Sequence, residues 1–269
     1  MTTVCLTFDF DALSIWLSTF KQTSPTPLSR GEYGARVGMP RILAMLDRCG
    51  VKATFFTPAH TARTFPGAVK ALVESGHEVG LHGLVHESPV GLELEEERSL
   101  LARSIKVLEE IAGKRPVGYR SPAWDLSDNT INLLEEFDLR YDSSLMASDF
   151  HPFRARKGDA MGEERFAFGT ESSILEFPVA WELDDFPYFQ FMSRPVFQGL
   201  RLTDDVYSLW AAEFDCAHEE DGLFTLTCHP EIIGRGPRVK MLEKLIRHMQ
   251  SQGGVTFSTM AEAAEAAEV

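Results

Sequence analysis

The chain alternates short, strongly apolar runs with longer stretches in which apolar residues recur every three or four positions. Runs rich in β-branched and aromatic residues indicate buried strands, and the longer spacing indicates amphipathic helices. The predicted strands are residues 3–10, 52–57, 77–81, 117–120, 141–145, 174–179, 223–227 and 255–258. The predicted helices are residues 37–49, 93–112, 127–137, 203–220, 239–250 and an alanine- and glutamate-rich segment after Thr259.

Seven or eight strand–helix units therefore follow one another in a chain of 269 residues. Such repeats form parallel sheets, so the pattern favours an α/β fold, either a parallel barrel or a doubly wound sheet. No linker, internal repeat or low-complexity insert divides the chain, which indicates one domain spanning residues 1–269. Two stretches, 13–36 and 146–173, show no clear periodicity, as is typical of functional loops or disordered segments.

Charge and cysteine content narrow the class of protein. A formal net charge of −14 and a pI near 5.0 disfavour nucleic acid and anionic membranes as partners. The first strand is predicted to start close to Met1, and no apolar run reaches the roughly 18–20 residues that span a bilayer, so we expect a cytoplasmic protein. The four cysteines lie far apart and form no C-x-x-C pair, so we expect them to be reduced and structural.

Two acids and two histidines are the first candidates for chemistry. Asp9 and Asp11 lie two apart in the first predicted strand, so both carboxylates would face the same side. His82 and His86 lie four apart and would converge if the backbone turned helical after the third strand. One carboxylate and two imidazoles form a divalent-metal site with open positions, and the second carboxylate remains available as a base. This pattern predicts a metal-assisted hydrolase.

The positions of these residues strengthen the hypothesis. Five polar residues fall at the carboxyl ends of predicted strands, namely Asp9, Asp11, His82, Arg120 and His229. In α/β barrels, active sites are built at that rim. Structural interpretations remain open for single residues, since Arg120 could neutralise the aspartates as an ion pair, His229 could simply enter a helix and Trp124 could be core.

Short motifs around these positions resemble the polysaccharide deacetylase family, metal-dependent carbohydrate esterases with a distorted (β/α) barrel. T-F-D-F-D-A resembles the family's T-F-D-D-G with one residue inserted between the acids, as in the branch of cytoplasmic peptidoglycan-deacetylase-like, cyclic-imide-hydrolase and allantoinase-like proteins. H-G-L-V-H, R-S-P-A-W and L-T-C-H-P resemble the family's H-[ST]-x-x-H, R-x-P-x-W and L-x-x-H-P. The resemblance covers nearly the whole chain and implies a single-domain, distorted (β/α)7–8 parallel barrel.

The resemblance also implies a role for each residue. The implied catalytic residues are Asp9, which acts as the base, Arg120, and His229, which acts as the general acid. The implied ligands of one divalent metal, by preference zinc, are Asp11, His82 and His86. The candidate substrate-binding residues are Trp124 and Trp181. The family's D-x-x-D-W motif has no clear counterpart here. Glu182, Asp184 and Asp185 are candidates for the carboxylate that orients His229.

The implied reaction is hydrolysis of a carbon–nitrogen bond other than a peptide bond, either N-deacetylation of an N-acetyl sugar or hydrolysis of a small cyclic imide or amide. A catalytically silent relative that binds carbohydrate or acts as a structural subunit is the alternative, and retention of the acids and histidines counts against it. The aromatic segment 181–191 would wall the cleft, lie in a subunit contact, or both. Members of this branch form homo-oligomers, so we expect a dimer or tetramer.

Overall fold

Parallel strands and the helices that connect them make up most of this protein. The structure is a computed structural model and describes residues 1–193 and 196–267. The strands are β1 (Thr2–Asp9), β2 (Thr54–Thr57), β3 (Glu78–Leu81), β4 (Gly118–Tyr119), β5 (Tyr141–Asp142), β6 (Phe153–Lys157), β7 (Ala160–Met161), β8 (Phe166–Ala167), β9 (Thr170–Glu176), β10 (Phe191–Ser193), β11 (Val196–Gln198), β12 (Leu223–Cys228) and β13 (Val255–Phe257). The helices are α1 (Ser14–Leu17), α2 (Pro25–Tyr33), α3 (Met39–Cys49), α4 (Ala59–Thr64), α5 (Pro66–Glu74), α6 (Leu94–Ala112), α7 (Thr130–Glu136), α8 (Phe186–Phe189), α9 (Thr203–Glu219), α10 (Pro230–Ile233), α11 (Gly236–Gln250) and α12 (Met260–Ala267), with a π-helical turn at Gly34–Gly38 and 3₁₀ turns at Pro122–Trp124 and Trp181–Leu183.

Seven parallel strands form a curled sheet in the order β12-β1-β2-β3-β4-β5-β9, and β6 lies antiparallel at its end. β13 pairs with the first residues of β1. A single parallel bridge joins Asp184 to Thr227 at the carboxyl end of β12. The sheet is therefore an incomplete barrel, which confirms the predicted distorted (β/α) barrel rather than the doubly wound alternative.

Alternate residues of β1 face two different layers, because strand side chains have a period of two. Leu6 and Phe8 belong to the large core between the sheet and the helices, where Phe8 stacks on Phe55 of β2 with ring centroids 4.8 Å apart. Cys5 belongs to a second, smaller core. Asp9 shares the strand face of Cys5, so the pleat of β1 itself directs this carboxylate away from the large core.

The predicted elements are confirmed where their periodicity is strong. Each predicted strand overlaps an observed one, and α3, α6, α7, α9, α11 and α12 match predicted helices. The irregular stretch 13–36 is not a loop, since it contains α1 and α2, and the stretch 146–173 contains β6, β7, β8 and the start of β9. Helices α4 and α5 were not predicted, because Pro58 and Pro66 break residues 58–74 into two short helices.

Glycines explain why the stretch 13–36 lacks an apolar period. Here α2, the π-helical turn and α3 follow one another and pack against the loops after β1 and β12. A Cβ at Gly31 would lie 2.3 Å from the Ala12 carbonyl oxygen, and one at Gly38 would lie 2.1 Å from the Pro230 carbonyl oxygen. At these two glycines the segment packs backbone to backbone. Helix α2 therefore lacks the apolar side chains that usually mark a buried helix face, whereas α3 keeps them in Ile42, Met45 and Leu46.

Two further expectations concern location and redox state. In the described ranges, no helix is both long and apolar enough to cross a lipid bilayer. All four cysteines are free thiols, with Cys5, Cys49 and Cys228 buried and Cys216 exposed. The prediction of unpaired cysteines is thus confirmed.

His77, at the amino end of β3, makes stability depend on pH. The residue is 8% exposed and its Nδ1 accepts a hydrogen bond from the Ala53 N–H at 3.2 Å. Burial, together with Lys52, lowers the pKa of His77 from 6.5 to about 4, so the folded protein holds a neutral ring. The unfolded chain binds the proton at a higher pH than the folded chain does. This contribution to stability is therefore complete above pH 6.5 and is lost as the pH falls towards 4.

We expect His77→Asn, which keeps an acceptor near Nδ1 but does not titrate, to flatten the pH dependence. The measurement is the free energy of unfolding in urea between pH 6.5 and 4. A slope equal to that of the wild type would show that His77 is not the group responsible.

Candidate active site

A buried ion pair between β1 and β4 forms one side of the site. Arg120, which directly follows β4, is 0% exposed and donates from Nη1 to Asp9 Oδ1 at 2.9 Å and to Thr7 Oγ1 at 2.7 Å. Its Nε and Nη2 donate to the carbonyl oxygen and hydroxyl of Ser143 at 3.0 and 2.8 Å. Burial alone would raise the pKa of Asp9, but the charge of Arg120 lowers it below its ordinary value. Asp9 is thus held as a carboxylate, with Oδ2 not used by Arg120.

Asp11, His82 and His86 converge beside this ion pair. His82 Nε2 lies 3.5 Å from Asp11 Oδ1, and His86 Nε2 lies 3.4 Å from Asp11 Oδ2. The Nδ1 of His82 donates to the Arg120 carbonyl oxygen at 2.7 Å. The hydroxyl of Thr19 donates its proton to the His86 carbonyl oxygen. The same hydroxyl oxygen therefore accepts a hydrogen bond from His86 Nδ1 at 2.6 Å. Burial lowers the pKa of both histidines, so each is neutral and turns an Nε2 lone pair towards Asp11.

This arrangement fits a bound cation. Both carboxylate oxygens of Asp11 are buried and have no hydrogen-bond donor among the residues that the structure describes. Two imidazole lone pairs face them, and one ligand atom from each of the three residues lies within 4.8 Å of the others. Buried acceptors that face only one another are costly, and burial raises the pKa of Asp11 well above its ordinary value. A divalent metal ion would satisfy all three ligands, since a carboxylate and two imidazoles are typical zinc ligands.

The histidines converge without the predicted helical turn. Residues 82–88 form an irregular loop in which Gly83 and His86 have φ of 73° and 66°. A side chain at Gly83 would be strained for two reasons. The backbone has a left-handed conformation there, and a Cβ would lie 3.2 Å from the Pro122 ring. The loop also places the amides of Leu84 and Val85 on the carboxylate of Glu87 at 2.7 and 2.5 Å. A tight loop, rather than a helix, brings the two imidazoles together.

His229 faces the same cleft from the end of β12. Its Nδ1 lies 2.7 Å from Asp185 Oδ1, and its backbone N–H donates to the same carboxylate at 3.0 Å. Its Nε2 lies 3.8 Å from Asp11 Oδ2. Burial opposes protonation of the ring, but the charges of Asp184 and Asp185 raise the pKa of His229 well above its ordinary value. Of the three acids left open by the sequence, Asp185 is the one that orients His229.

The cleft between these groups has a volume of about 210 Å³. Trp124 and Trp181 stack with ring centroids 4.3 Å apart and form one wall, and Phe186 packs against His229 at 5.5 Å. Trp124 is 7% exposed, whereas Trp181 is 46% exposed. Ala123 and Trp124 both have positive φ, a strained conformation for residues with side chains, and this turn places Trp124 at the cleft.

All eight residues singled out from the sequence lie at or directly around this cleft. Sequence reasoning did not single out Thr7, Thr19 and Ser143, which hold Arg120 and His86 in place. Thr7 carries a weak signal, because it lies two residues before Asp9 on the same strand face. Thr19 and Ser143 lie distant in sequence from their partners and carry none.

Comparisons with known proteins identify the family of this chain. The family model described as polysaccharide deacetylase matches residues 2–141. A peptidoglycan deacetylase from Helicobacter pylori is 34% identical over 272 aligned residues, which cover 96% of this chain and 93% of that protein. A solved structure of a candidate polysaccharide deacetylase from Mycobacterium smegmatis is 37% identical, with a TM-score of 0.87 over 99% of this chain and 90% of that one.

A more distant structure, an allantoinase, is 22% identical with a TM-score of 0.79, covers 98% of this chain and 89% of its own, and shows the shared fold alone. The family match covers the elements that carry Asp9, Asp11, His82, His86, Arg120 and Trp124, and the two closer relatives align over nearly the whole chain. The chain therefore belongs to the polysaccharide deacetylase family and is a hydrolase of carbon–nitrogen bonds other than peptide bonds.

Proposed function

We propose that this protein is a metal-dependent N-deacetylase that releases acetate from an N-acetyl amino sugar. The observation that carries the proposal is the placement of two proton-transfer groups of opposite character, Asp9 and His229, around the same cation-binding set of ligands. The H. pylori relative, which aligns over nearly the whole chain, is a peptidoglycan deacetylase, and this supports an acetylated sugar as substrate.

Asp11, His82 and His86 would hold one divalent ion, for which zinc suits the ligand set best. Such an ion supplies Lewis acidity for the acyl oxygen and lowers the pKa of the attacking water. The Nδ1 hydrogen bonds to the Arg120 carbonyl and Thr19 keep both Nε2 atoms free as ligands.

Asp9 would take the proton from the attacking water. Its Oδ1 is engaged by Arg120, which leaves Oδ2 on the side of His82, 3.7 Å from Nε2, to accept that proton. Arg120 keeps Asp9 ionised and fixes its orientation, so this group accepts a proton only from a strongly polarised water.

His229 would supply a proton to the departing nitrogen. Its Nδ1–H is held by Asp185, so Nε2 is the atom that faces the cleft and gives up the proton. Trp124 and Trp181 would bind the sugar by packing against the apolar face of its ring.

A second candidate is hydrolysis of a small cyclic imide or amide. The cleft of about 210 Å³ is walled by Phe20, Phe186 and Trp181, which favours a small substrate over a long polymer. The reacting groups would keep the same roles, because both reactions break an acyl carbon–nitrogen bond.

The substrate test compares acetate release from N-acetylglucosamine and its short oligomers with ring opening of succinimide-type cyclic imides. We expect kcat/KM to be at least about 10-fold higher for the acetylated sugars, a difference of about 1.4 kcal/mol. Trp181→Ala should raise KM for the oligomers about 2- to 10-fold and change kcat little, since it removes one aromatic contact from an exposed position. Efficient imide hydrolysis without acetate release would replace the first candidate with the second.

Substitution of Asp9 and of Asp11 should have different effects on the metal content and on kcat. Asp9→Asn should keep the metal, measured by elemental mass spectrometry, and lose about 10²–10⁴-fold in kcat, as for a positioned base. Asp11→Asn should lose the metal itself, because a neutral amide replaces the carboxylate ligand. The exposed His151→Asn serves as control and should change neither quantity. Equal metal content and equal rates in both aspartate variants would contradict the assignment.

We also propose that the protein forms a homo-oligomer, a dimer or tetramer, through the rim beside the cleft. In segment 181–191, Phe189 is buried and Phe186 and Tyr188 are half-buried, so only part of this segment is available for an interface. The exposed apolar residues of this rim are Trp181, Phe191, Val196, Leu200 and Leu202. Apolar surface of this kind is typically covered by another chain, and a second copy matches it in chemistry.

Light scattering should give a solution mass of two or four times 30.1 kDa. Val196→Asp with Leu202→Asp should lower the mass without loss of folding, because both side chains are exposed in the single chain. A wild-type mass of one chain at micromolar concentration would contradict this proposal.

A further inference from the structure

Two buried carboxyl groups lie behind the cleft, on neighbouring strands. Asp142 ends β5 and Glu176 ends β9, and the two residues are paired in the strand register. Both are 0% exposed. Neither lines the cleft nor belongs to the metal-binding set, so the proposed reaction gives them no role.

The two carboxyl groups lie beside each other across the β5–β9 strand pair, and each shifts the pKa of the other. Asp142 Oδ2 and Glu176 Oε2 meet no N–H or hydroxyl donor within residues 1–193 and 196–267. Burial raises the pKa of Asp142 to about 6, and burial with the charge of Asp142 raises that of Glu176 well above its ordinary value. Glu176 is therefore the partner that stays protonated, and its hydroxyl can donate to the Asp142 carboxylate.

The other oxygens of this pair hold the backbone that follows β5. Glu176 Oε1 accepts hydrogen bonds from the amides of Ser144 and Leu145 at 2.7 and 2.8 Å. Asp142 Oδ1 accepts one from the Ser144 hydroxyl at 2.8 Å. Ser144 and Leu145 thus make three hydrogen bonds to the carboxyl pair, two of them fully buried.

The same short segment holds Arg120. Ser143 accepts two hydrogen bonds from the guanidinium through its carbonyl oxygen and its hydroxyl. The Ser144 hydroxyl accepts the Ser121 amide at 2.9 Å, next in the chain to Arg120. A continuous line of buried hydrogen bonds therefore runs from Glu176 to the guanidinium that orients Asp9.

We propose that Asp142 and Glu176 are positioning residues, and that their hydrogen bonds to Ser144 and Leu145 fix residues 143–145 so that Arg120 holds Asp9 in its catalytic orientation. The kinetic part of this inference rests on the proposed deacetylase function. Loss of this support would let the Arg120 guanidinium move, and the Asp9 carboxylate would move with it. A misplacement of about 1 Å at a reacting group lowers the rate by up to about 100-fold.

The test compares Glu176→Gln with Glu176→Leu. Glutamine keeps the acceptor for Ser144 and Leu145 and donates to Asp142 as the protonated acid does, so kcat should stay within about 3-fold of wild type. Leucine removes both functions, so kcat should fall about 10- to 100-fold. KM and the metal content should change little in both variants, because Glu176 lines neither the cleft nor the metal-binding set.

The matched control is Glu78→Leu. Glu78 is an acid at the amino end of β3 that accepts hydrogen bonds from Thr54, Tyr141 and the Ala261 amide, and it lies at the opposite end of the sheet. This variant should lose stability to a similar extent and keep kcat. A Glu176→Leu enzyme as active as Glu78→Leu would overturn the inference, as would a Glu176→Gln enzyme as slow as Glu176→Leu.

A readout without activity separates this inference from the proposed function. Arg120 is fully buried, so its Nε–H, which donates to Ser143, should give a slowly exchanging resonance in nitrogen-15 NMR spectra. That resonance should shift or broaden in Glu176→Leu and remain in Glu176→Gln and Glu78→Leu. If the wild type releases no acetate from any probe, the deacetylase proposal fails. The Arg120 resonance alone then decides whether Asp142 and Glu176 position Arg120. An unchanged resonance in Glu176→Leu overturns the inference.

Discussion

Arg120 carries a full charge where no water reaches it, and the surrounding strand ends supply the partners that this buried charge requires. An arginine at 0% exposure is stable only if its donors are satisfied and its charge is paired. Asp9 supplies the charge, and Thr7 and Ser143 supply the remaining acceptors. Removing one partner of a buried pair typically costs about 3–5 kcal/mol. The ends of β1 and β4 and the chain after β5 are therefore held in one fixed relation, and that relation places Asp9 beside Asp11, His82 and His86.

Environment, not residue type, separates the acids of this site. Asp9 is kept ionised by Arg120, Asp11 has no donor and suits a cation, and Asp185 raises the pKa of the histidine it holds. Three aspartates thus serve three purposes within one cleft. Pairs of groups whose environments push their pKa values apart are the usual basis for assigning acid and base roles.

Much of the fold and the main site residues could be predicted from sequence, because their signals are local. Asp9 and Asp11, His82 and His86 lie in short motifs at the ends of strongly apolar strands. The supports of these residues were harder to predict, since Ser143 reaches Arg120 across the sheet with no sequence signal, and the sequence left Asp185 as one of three candidate partners of His229. Asp185 owes its position to a 3₁₀ turn and one bridge to β12, neither of which has a period that a sequence pattern can show.

The glycine-lined segment of α2, the π-helical turn and α3 has a consequence for how this enzyme can change over evolution. A Cβ at Gly31 or Gly38 would collide with a backbone carbonyl group in the loop it packs on. Single substitutions at Gly31 and Gly38 are therefore closed to selection, because any side chain there would push apart the segments that carry Asp11 and His229. The exposed rim around Trp181 is under no such restriction. New substrate preferences in this lineage should arise by exchange of rim residues, while Gly31 and Gly38 stay unchanged.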